Sequence, residues 1–147
     1  MGKVLMVNDM IGITDSFESK LLTLFGIAQE AKENAYCRYS GFKVGAAVLA
    51  NDRRIITGCN VENAVSGMTM CAERVAIFKA VAQGYAPGSI QAVAIASTGK
   101  NFSPCGACRE VLNEFRVGAV VFEFDDEIVI ARLSHLLPFG SDLSRAR

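Results

Sequence analysis

The stretch "CAERVAIFKAVAQ", residues 71–83, decides how this chain must fold. It predicts a helix that Gly84 stops. A helix that is apolar on every side must be covered on every side, and one small sheet can cover only one of them. We therefore expect a partner subunit on the other side. The apolar residues that nearly surround this helix are Val75, Ala76, Ile77, Phe78, Ala80, Val81 and Ala82.

The segments on both sides of this helix alternate between helical and strand patterns. Their order, α-β-β-α-β-α-β-β, predicts an α/β fold, a three-layer α-β-α sandwich around a mixed five-stranded sheet. We expect a single domain over residues 1–147, in which residues 1–14 form a loosely held leader. Helices are predicted over 16–34 and 105–115, a helical turn over 134–137, and strands over 44–50, 54–58, 90–97, 119–124 and 127–131.

Length and composition fit one compact domain that binds a small molecule. The 147 residues are 51% hydrophobic, enough to build a core. Lys+Arg and Asp+Glu both number 15, whereas a nucleic-acid or membrane surface calls for an excess of basic residues. No apolar run approaches the roughly 20 residues of a membrane span, and residues 1–10 lack a signal-peptide core. We expect a cytoplasmic protein.

Three of the five cysteines lie where helices are predicted to begin. In a reducing compartment cysteines stay thiols, so close pairs indicate metal or catalytic sites before disulfides. Cys71 begins the helix of the opening stretch, and Cys105 and Cys108 begin the next one. The free N–H groups and positive dipole of a helix start favour thiolate, the form that binds zinc. Three protein ligands leave a fourth position open, as in a catalytic zinc site.

Glu73, Arg74 and Pro104 are placed to complete such a site. Glu73 lies in the first turn of its helix and can face the open position without being a ligand. A carboxylate there can take a proton from an activated water molecule and deliver it elsewhere. Arg74 can offset the charge of three thiolates by hydrogen bonding to sulfur. Pro104 ends the preceding loop and sets the entry into the helix.

Other interpretations of the cysteines stay open on these residues alone. Cys105 and Cys108 by themselves fit a redox dithiol, which needs no Cys-x-Glu upstream. A structural zinc would want a fourth ligand, either Cys37 or Cys59. Otherwise Cys37 and Cys59 are predicted to be ordinary buried or half-buried thiols.

Cys71-x-Glu73, then 30 residues, then Pro104-Cys105-x-x-Cys108 matches the zinc-deaminase signature with three cysteine ligands. On these residues and three further motifs the chain resembles the small cytidine deaminases, zinc enzymes that assemble as homotetramers. The resemblance extends from about residue 17 to residue 143. The further motifs are "AYCRYSGFKVGAAVL" at 35–49, "TGCNVENA" at 57–64 and "SPCGACREVL" at 103–112.

The resemblance implies a cytidine deaminase-like fold and hydrolytic deamination of cytidine and deoxycytidine in pyrimidine salvage. One Zn²⁺ per subunit would be held by Cys71, Cys105 and Cys108. Glu73 would carry protons to N3 of the base and to the departing ammonia. The partners implied are a nucleoside substrate and three further copies of the chain.

The resemblance also implies which residues bind the substrate. Asn60 and Glu62 would hydrogen-bond the ribose hydroxyls, which suits an amide and a carboxylate. The backbone of Ala72 would contact the base. Phe42 would lie beside the nucleoside, where an aromatic ring can stack on it. Phe139 would reach the site of a neighbouring subunit.

The chain departs from the usual family pattern at several positions. Family members usually have Pro at Arg38, often an aromatic residue at Val65, Gln at Glu110 and Glu at His135, and their tail after Pro138 is slightly longer. His135, the only histidine, is predicted to be a surface residue. Two alternatives therefore stay open. One is a deaminase of a related aminopyrimidine nucleoside, such as blasticidin S or a modified cytidine. The other is a non-catalytic, zinc-stabilised binding module.

Overall fold

The computed structural model describes residues 4–6 and 14–144. Short 3₁₀ turns lie at Lys32–Asn34 and Ser66–Met68. No helix in these two ranges has the length and apolar character needed to cross a bilayer. The helices and strands are β1 (Val4–Met6), α1 (Asp15–Ala31), β2 (Val44–Ala50), β3 (Ile55–Cys59), α2 (Ala72–Ala82), β4 (Ile90–Ser97), α3 (Gly106–Glu114), β5 (Ala119–Phe124), β6 (Glu127–Arg132) and α4 (Leu133–Leu136).

The strands form one mixed sheet in the order β1-β6-β5-β4-β2-β3. β2 is antiparallel to both β3 and β4, and β5 is antiparallel to β6. β4 and β5 are parallel, so the chain must cross over between them, and α3 makes that crossover. The predicted α/β class and mixed sheet are confirmed.

Helices cover both faces of the sheet. Successive residues of a strand point to opposite faces, so the fully buried β2 divides its side chains between two cores. Val44, Ala46 and Val48 pack in the core that also contains residues of α2, α3 and α4. Ala47 and Leu49 pack in the other core, with α1. The predicted three-layer sandwich is confirmed.

The sheet has six strands, so the prediction of five was wrong by one. Val4–Met6, which the sequence placed in a loose leader, pair in parallel with Ile128–Ile130 at the edge of β6. Three apolar residues are too few to show an alternating pattern, and their partner strand lies at the other end of the chain. The remainder of the predicted leader lies outside the described residues, apart from Thr14, whose Oγ1 accepts a hydrogen bond from Phe17 N at the start of α1 (3.3 Å).

α2 packs directly against the sheet and leaves part of its surface exposed. Gly58 of β3 allows the close approach, since a Cβ there would lie only 2.5 Å from the backbone nitrogen of Ala76. Phe78 and Val81, on the side away from the sheet, are 45% and 41% exposed. Within one chain this apolar helix is therefore only partly covered.

Candidate active site

Three cysteine sulfurs meet where α2 and α3 begin. Cys71 is the N-cap of α2, Cys105 is the N-cap of α3, and Cys108 lies in the first turn of α3. Their Sγ atoms all lie within 4.8 Å of one another. Tetrahedral Zn–S bonds of about 2.3 Å hold two sulfurs about 3.8 Å apart, so small side-chain movements would close the cluster on one ion. The predicted convergence of the sulfurs is confirmed.

The thiols of the cluster share protons through hydrogen bonds. A hydrogen bond from Cys108 and the guanidinium of Arg74 lower the pKa of Cys71 to about 5, against the opposing effect of burial. The same hydrogen bond raises the pKa of Cys108. Arg74 Nη2 donates to Cys71 Sγ at 3.3 Å, so the predicted arginine–sulfur contact is present. At neutral pH the cluster therefore carries a thiolate, which Arg74 compensates.

Glu73 is a buried carboxyl group beside this cluster. Its side chain is 1% exposed, and Oε2 has no hydrogen-bond partner. In the part of the chain that the structure describes, one other buried side-chain polar atom has no hydrogen-bond partner, Nε of Arg74. Burial, together with the charge on Cys71, raises the pKa of Glu73 to about 7. A carboxyl group that titrates near neutral pH can both take up and release a proton.

The donor set fits a zinc ion held by three protein ligands. Thiolates are ligands that zinc prefers, and three of them leave a coordination position free. The unpaired Oε2 of Glu73 gives a proton acceptor next to the cluster. Neither Cys37 nor Cys59 belongs to the cluster, and Cys59 Sγ instead donates to the Asn34 carbonyl at 3.4 Å. The geometry therefore favours the open three-cysteine site over a closed structural zinc.

A cavity of about 260 Å³ opens beside the cluster. Small-molecule sites range from about 300 to 1,000 Å³, so this cavity suits a compact ligand. Four of the predicted substrate residues line it, together with Cys71 and Glu73 of the cluster. Its lining residues are Ser40, Phe42, Val44, Asn60, Glu62, Thr69, Cys71, Ala72, Glu73 and Phe102.

Glu62 is held in the wall of the cavity by three hydrogen bonds. Its Oε2 accepts hydrogen bonds from the backbone nitrogens of Tyr39 (2.8 Å) and Ser40 (3.2 Å), and the Ser40 hydroxyl donates to Oε1. The hydroxyl hydrogen bond in particular lowers the pKa of Glu62. The carboxylate is therefore ionised at neutral pH and suited to accept hydrogen bonds from ligand hydroxyls.

Asn60 connects the cavity to the start of β2. Its Oδ1 accepts from the backbone nitrogen of Val44, and its Nδ2 donates to the carbonyl of Phe42, both at 2.9 Å. The side chain is 8% exposed and lines the cavity as well. One amide N–H remains for a ligand. Asn60 thus supports the segment that carries Phe42, a structural role that the sequence did not reveal.

We expect Asn60→Ala to lower the free energy of unfolding by about 2 kcal/mol or more, because each buried partner left unsatisfied costs about 1–3 kcal/mol. Urea denaturation would measure the change. Glu62→Gln is the matched control, since its partners lie on an exposed loop, and it should cost less than about 1 kcal/mol. Wild-type stability in Asn60→Ala would show that the side chain acts only on the ligand.

Residues 18–124 match the family model described as the cytidine and deoxycytidylate deaminase zinc-binding region. The chain belongs to this deaminase family. It is 50% identical to a cytidine deaminase of Sporosarcina psychrophila over 97 aligned residues, which make up 66% of this chain and 71% of that protein. A cytidine deaminase of Mycobacterium tuberculosis is 42% identical over 128 residues, 84% of this chain and 93% of that one. The crystal structure of cytidine deaminase from Burkholderia pseudomallei, 40% identical, superposes with a TM-score of 0.76 over 88% of this chain and 100% of that chain.

In this deaminase, Arg109 holds the loop that leads into Cys105. Its guanidinium donates to the carbonyls of Pro104 and Leu136, each at 2.7 Å, and to the Ser103 hydroxyl at 3.2 Å. The loop beside the cluster is thereby joined to the end of α4. Sequence reasoning placed Pro104 here but missed Arg109, because its acceptors include a residue from a distant part of the chain.

The C-terminal tail of the deaminase is held on α3. Asn113 Nδ2 donates to the carbonyl of Ser141 (2.8 Å), and Glu110 Oε2 accepts from the nitrogen of Ser141 (3.3 Å). Phe139 is fully exposed, has a φ of 58°, and does not line the cavity of its own chain. Its contact with the site of a neighbouring subunit stays a prediction.

The positions that depart from the family pattern lie outside the cavity. The guanidinium carbon of Arg38 lies 5.5 Å from the centre of the exposed Tyr39 ring. Val65 is 64% exposed, and His135 is exposed as predicted. Phe102, by contrast, lines the cavity and was not anticipated, because no periodic pattern marks the loop that carries it.

Proposed function

We propose that this chain is a zinc-dependent hydrolase that converts cytidine and deoxycytidine to uridine and deoxyuridine with release of ammonia. The observation that carries the proposal is the buried Glu73, with a free carboxylate oxygen, next to three converging sulfurs at a cavity. Its relatives support it, since those at 42% and 50% identity are named cytidine deaminases.

Cys71, Cys105 and Cys108 would hold the zinc ion, which when bound would supply a Lewis acid that activates water for attack on C4 of the base. Glu73 takes the proton of that water at Oε2 and releases it to N3 of the ring. It then takes the remaining proton from the hydroxyl group added at C4 and passes it to the amino nitrogen, which leaves as ammonia when the C4–N bond breaks. A carboxyl group whose pKa lies near 7 suits both directions of transfer.

The other cavity residues bind and orient the nucleoside. The ionised Glu62 accepts hydrogen bonds from ribose hydroxyls, and the remaining N–H of Asn60 donates to one of them. The backbone N–H of Ala72, in the first turn of α2, is free to donate to the base. The ring of Phe42 offers an aromatic surface to the pyrimidine. Together these contacts would orient the base toward Glu73 and the sulfur cluster.

A spectrophotometric assay tests the proposal directly. The purified chain is incubated with cytidine, deoxycytidine and free cytosine, and both the absorbance change and the ammonia released are followed. Blasticidin S and a modified cytidine belong in the same panel, since they are the alternative substrates that the sequence left open. We expect turnover of cytidine and deoxycytidine with one ammonia per product. A zinc-loaded protein that acts on none of these compounds would instead be a non-catalytic binding module.

The chain is also proposed to assemble as a homotetramer. The exposed apolar residues Phe78 and Val81 of α2 support an interface on this side of the helix. The fully exposed Phe139, displayed by a tail that α3 holds in place, supports a contact with a neighbouring copy. Large exposed apolar side chains that lie together usually mark such interfaces.

We expect Phe78→Asp to shift the protein to a smaller assembly in size-exclusion chromatography with light scattering. Full burial of such a side chain in an interface contributes about 1.5–3 kcal/mol per copy to the free energy of association. A charge in its place would be buried without a partner and would oppose association. Phe124→Asp is the control, since Phe124 is 40% exposed but lies at the end of β5. An unchanged mass for Phe78→Asp would place the interface elsewhere.

A cytoplasmic location and a role in pyrimidine salvage complete the proposal. All five cysteines are free thiols in the structure, and a reducing compartment keeps them available for metal binding. The salvage role is supported by the proposed products, uridine and deoxyuridine, which are reusable pyrimidine nucleosides.

A further inference from the structure

Phe102 and Phe42 form an aromatic pair in the wall of the cavity. Their ring centres lie 5.6 Å apart and their planes are tilted by 43°. Both rings are half-buried, pack on the core beneath α2 and line the cavity. Phe102 has no role in the proposed chemistry.

The aromatic pair is fixed by the loop that follows β4. A Cβ on Gly99 would lie 2.5 Å from Cε2 and 3.0 Å from Cζ of Phe42, so the ring rests directly on the bare backbone. The loop is itself held in place: Ser97 Oγ donates to the Gly99 carbonyl at 2.7 Å, and Thr98 N donates to the Lys43 carbonyl at 2.9 Å. The Phe42 ring therefore cannot move toward Gly99, and the Phe102 ring packs beside it.

The proposed reaction determines which edge of the base faces Phe102. This step rests on the proposed function, because N3 must face Glu73, on α2, to receive its proton. In a cytosine ring N3 and C5 are the two neighbours of C4, on opposite sides of it. C5 is therefore turned away from Glu73. Phe102 lines the same cavity from a different segment, the loop that follows β4 and leads into Cys105.

We propose that Phe102 determines specificity at C5 of the pyrimidine. Its ring closes the cavity at the C5 edge and limits the size of the substituent that the site accepts. Cytidine fits, while a methyl or larger group at C5 meets the ring. An apolar pocket discriminates a single carbon by about 10- to 200-fold, which sets the scale of the effect.

The test compares substrates within one protein preparation. We expect Phe102→Ala to raise kcat/KM for 5-methylcytidine relative to cytidine by about tenfold or more, and for 5-iodocytidine by a larger factor. Phe102→Leu should shift both ratios in the same direction by less. Because each ratio comes from a single sample, differences in folded fraction or zinc loading cancel.

Phe115→Ala is the matched control. Phe115 is half-buried and packs on the same core but does not line the cavity, so its substitution should leave the ratios of kcat/KM unchanged.

Calorimetric Kd values for uridine and 5-methyluridine give a readout independent of turnover. The two Kd values should lie closer together in Phe102→Ala than in the wild-type protein. Ratios within twofold of wild type in both Phe102 variants would overturn the inference and leave the deaminase proposal intact. A wild-type protein that deaminates no cytosine nucleoside would overturn both.

Discussion

Glu73→Gln is expected to lower kcat on cytidine by about 10³-fold or more, within the 10²–10⁴-fold range of general acid–base catalysis. Glutamine has nearly the same shape and fits the buried position, but it cannot take up and release a proton. The carboxyl group is not one of the three clustered donors. The variant should therefore bind as much zinc as the wild-type protein.

Steady-state kinetics together with zinc analysis by mass spectrometry would check this result. Glu110→Gln is the control, since Glu110 contacts the tail at Ser141 and takes no part in the cavity. It should keep near wild-type kcat and zinc content. A fall in kcat of less than tenfold for Glu73→Gln would assign the proton transfer to another group.

Glu73→Gln should also unfold at no lower temperature than the wild-type protein at pH 8. Burial raises the pKa of Glu73 from its ordinary value to about 7. A carboxyl group whose pKa is raised in the folded state opposes folding once the pH exceeds its unfolded pKa, and the full cost is present above about 7. A neutral amide removes that cost, so lost activity with retained stability would separate a catalytic from a structural role.

The second large effect is expected from Cys108→Ala, which should lose zinc and all measurable deamination. Cys108 is fully buried in the first turn of α3 and is the hydrogen-bond partner of Cys71. Structural zinc sites bind with about 10–16 kcal/mol, so one of three ligands accounts for about 3–5 kcal/mol, a loss of affinity on the order of 10²–10⁴-fold. The thermal unfolding temperature should fall as well, because zinc binds the folded state preferentially.

Competition with a chelator of known affinity would measure the loss of zinc. Cys59→Ala is the control, because Cys59 is a partly buried cysteine that lies outside the cluster and donates a hydrogen bond to the Asn34 carbonyl. It should retain zinc and activity. If Cys108→Ala kept one zinc per chain in the same competition, the metal would be held by a different set of residues.

Local sequence predicted the parts of the site that one helical turn can specify. Cys71 and Glu73, like Cys105 and Cys108, lie two or three residues apart at a helix start, so their relative placement follows from the helix itself. The strand 44–50 was also predicted with its observed bounds, because seven buried residues in succession leave a clear pattern. These features depend on neighbours in the chain.

Features that depend on distant partners were missed or only half understood. Val4–Met6 becomes a strand because the edge of β6 is available to pair with it. Arg109 reaches the carbonyl of Leu136, 27 positions further along the chain. Asn60 was predicted as a ligand-binding residue, yet its amide also holds the backbone on both sides of Lys43. No local pattern indicates such acceptors.

The sequence by itself predicted the three cysteines, the carboxyl group of Glu73 beside them, the layered α/β architecture and the family. Short spacing, helix starts, apolar periodicity and contiguous motifs carry this information. Only the tertiary structure decided how the donors meet, with sulfurs within 4.8 Å and Glu73 buried enough for its pKa to rise to about 7. It alone placed Phe102 in the cavity wall against Phe42. Burial and long-range contact arise from packing elements that are far apart in the chain, which is why the walls of the site required the structure.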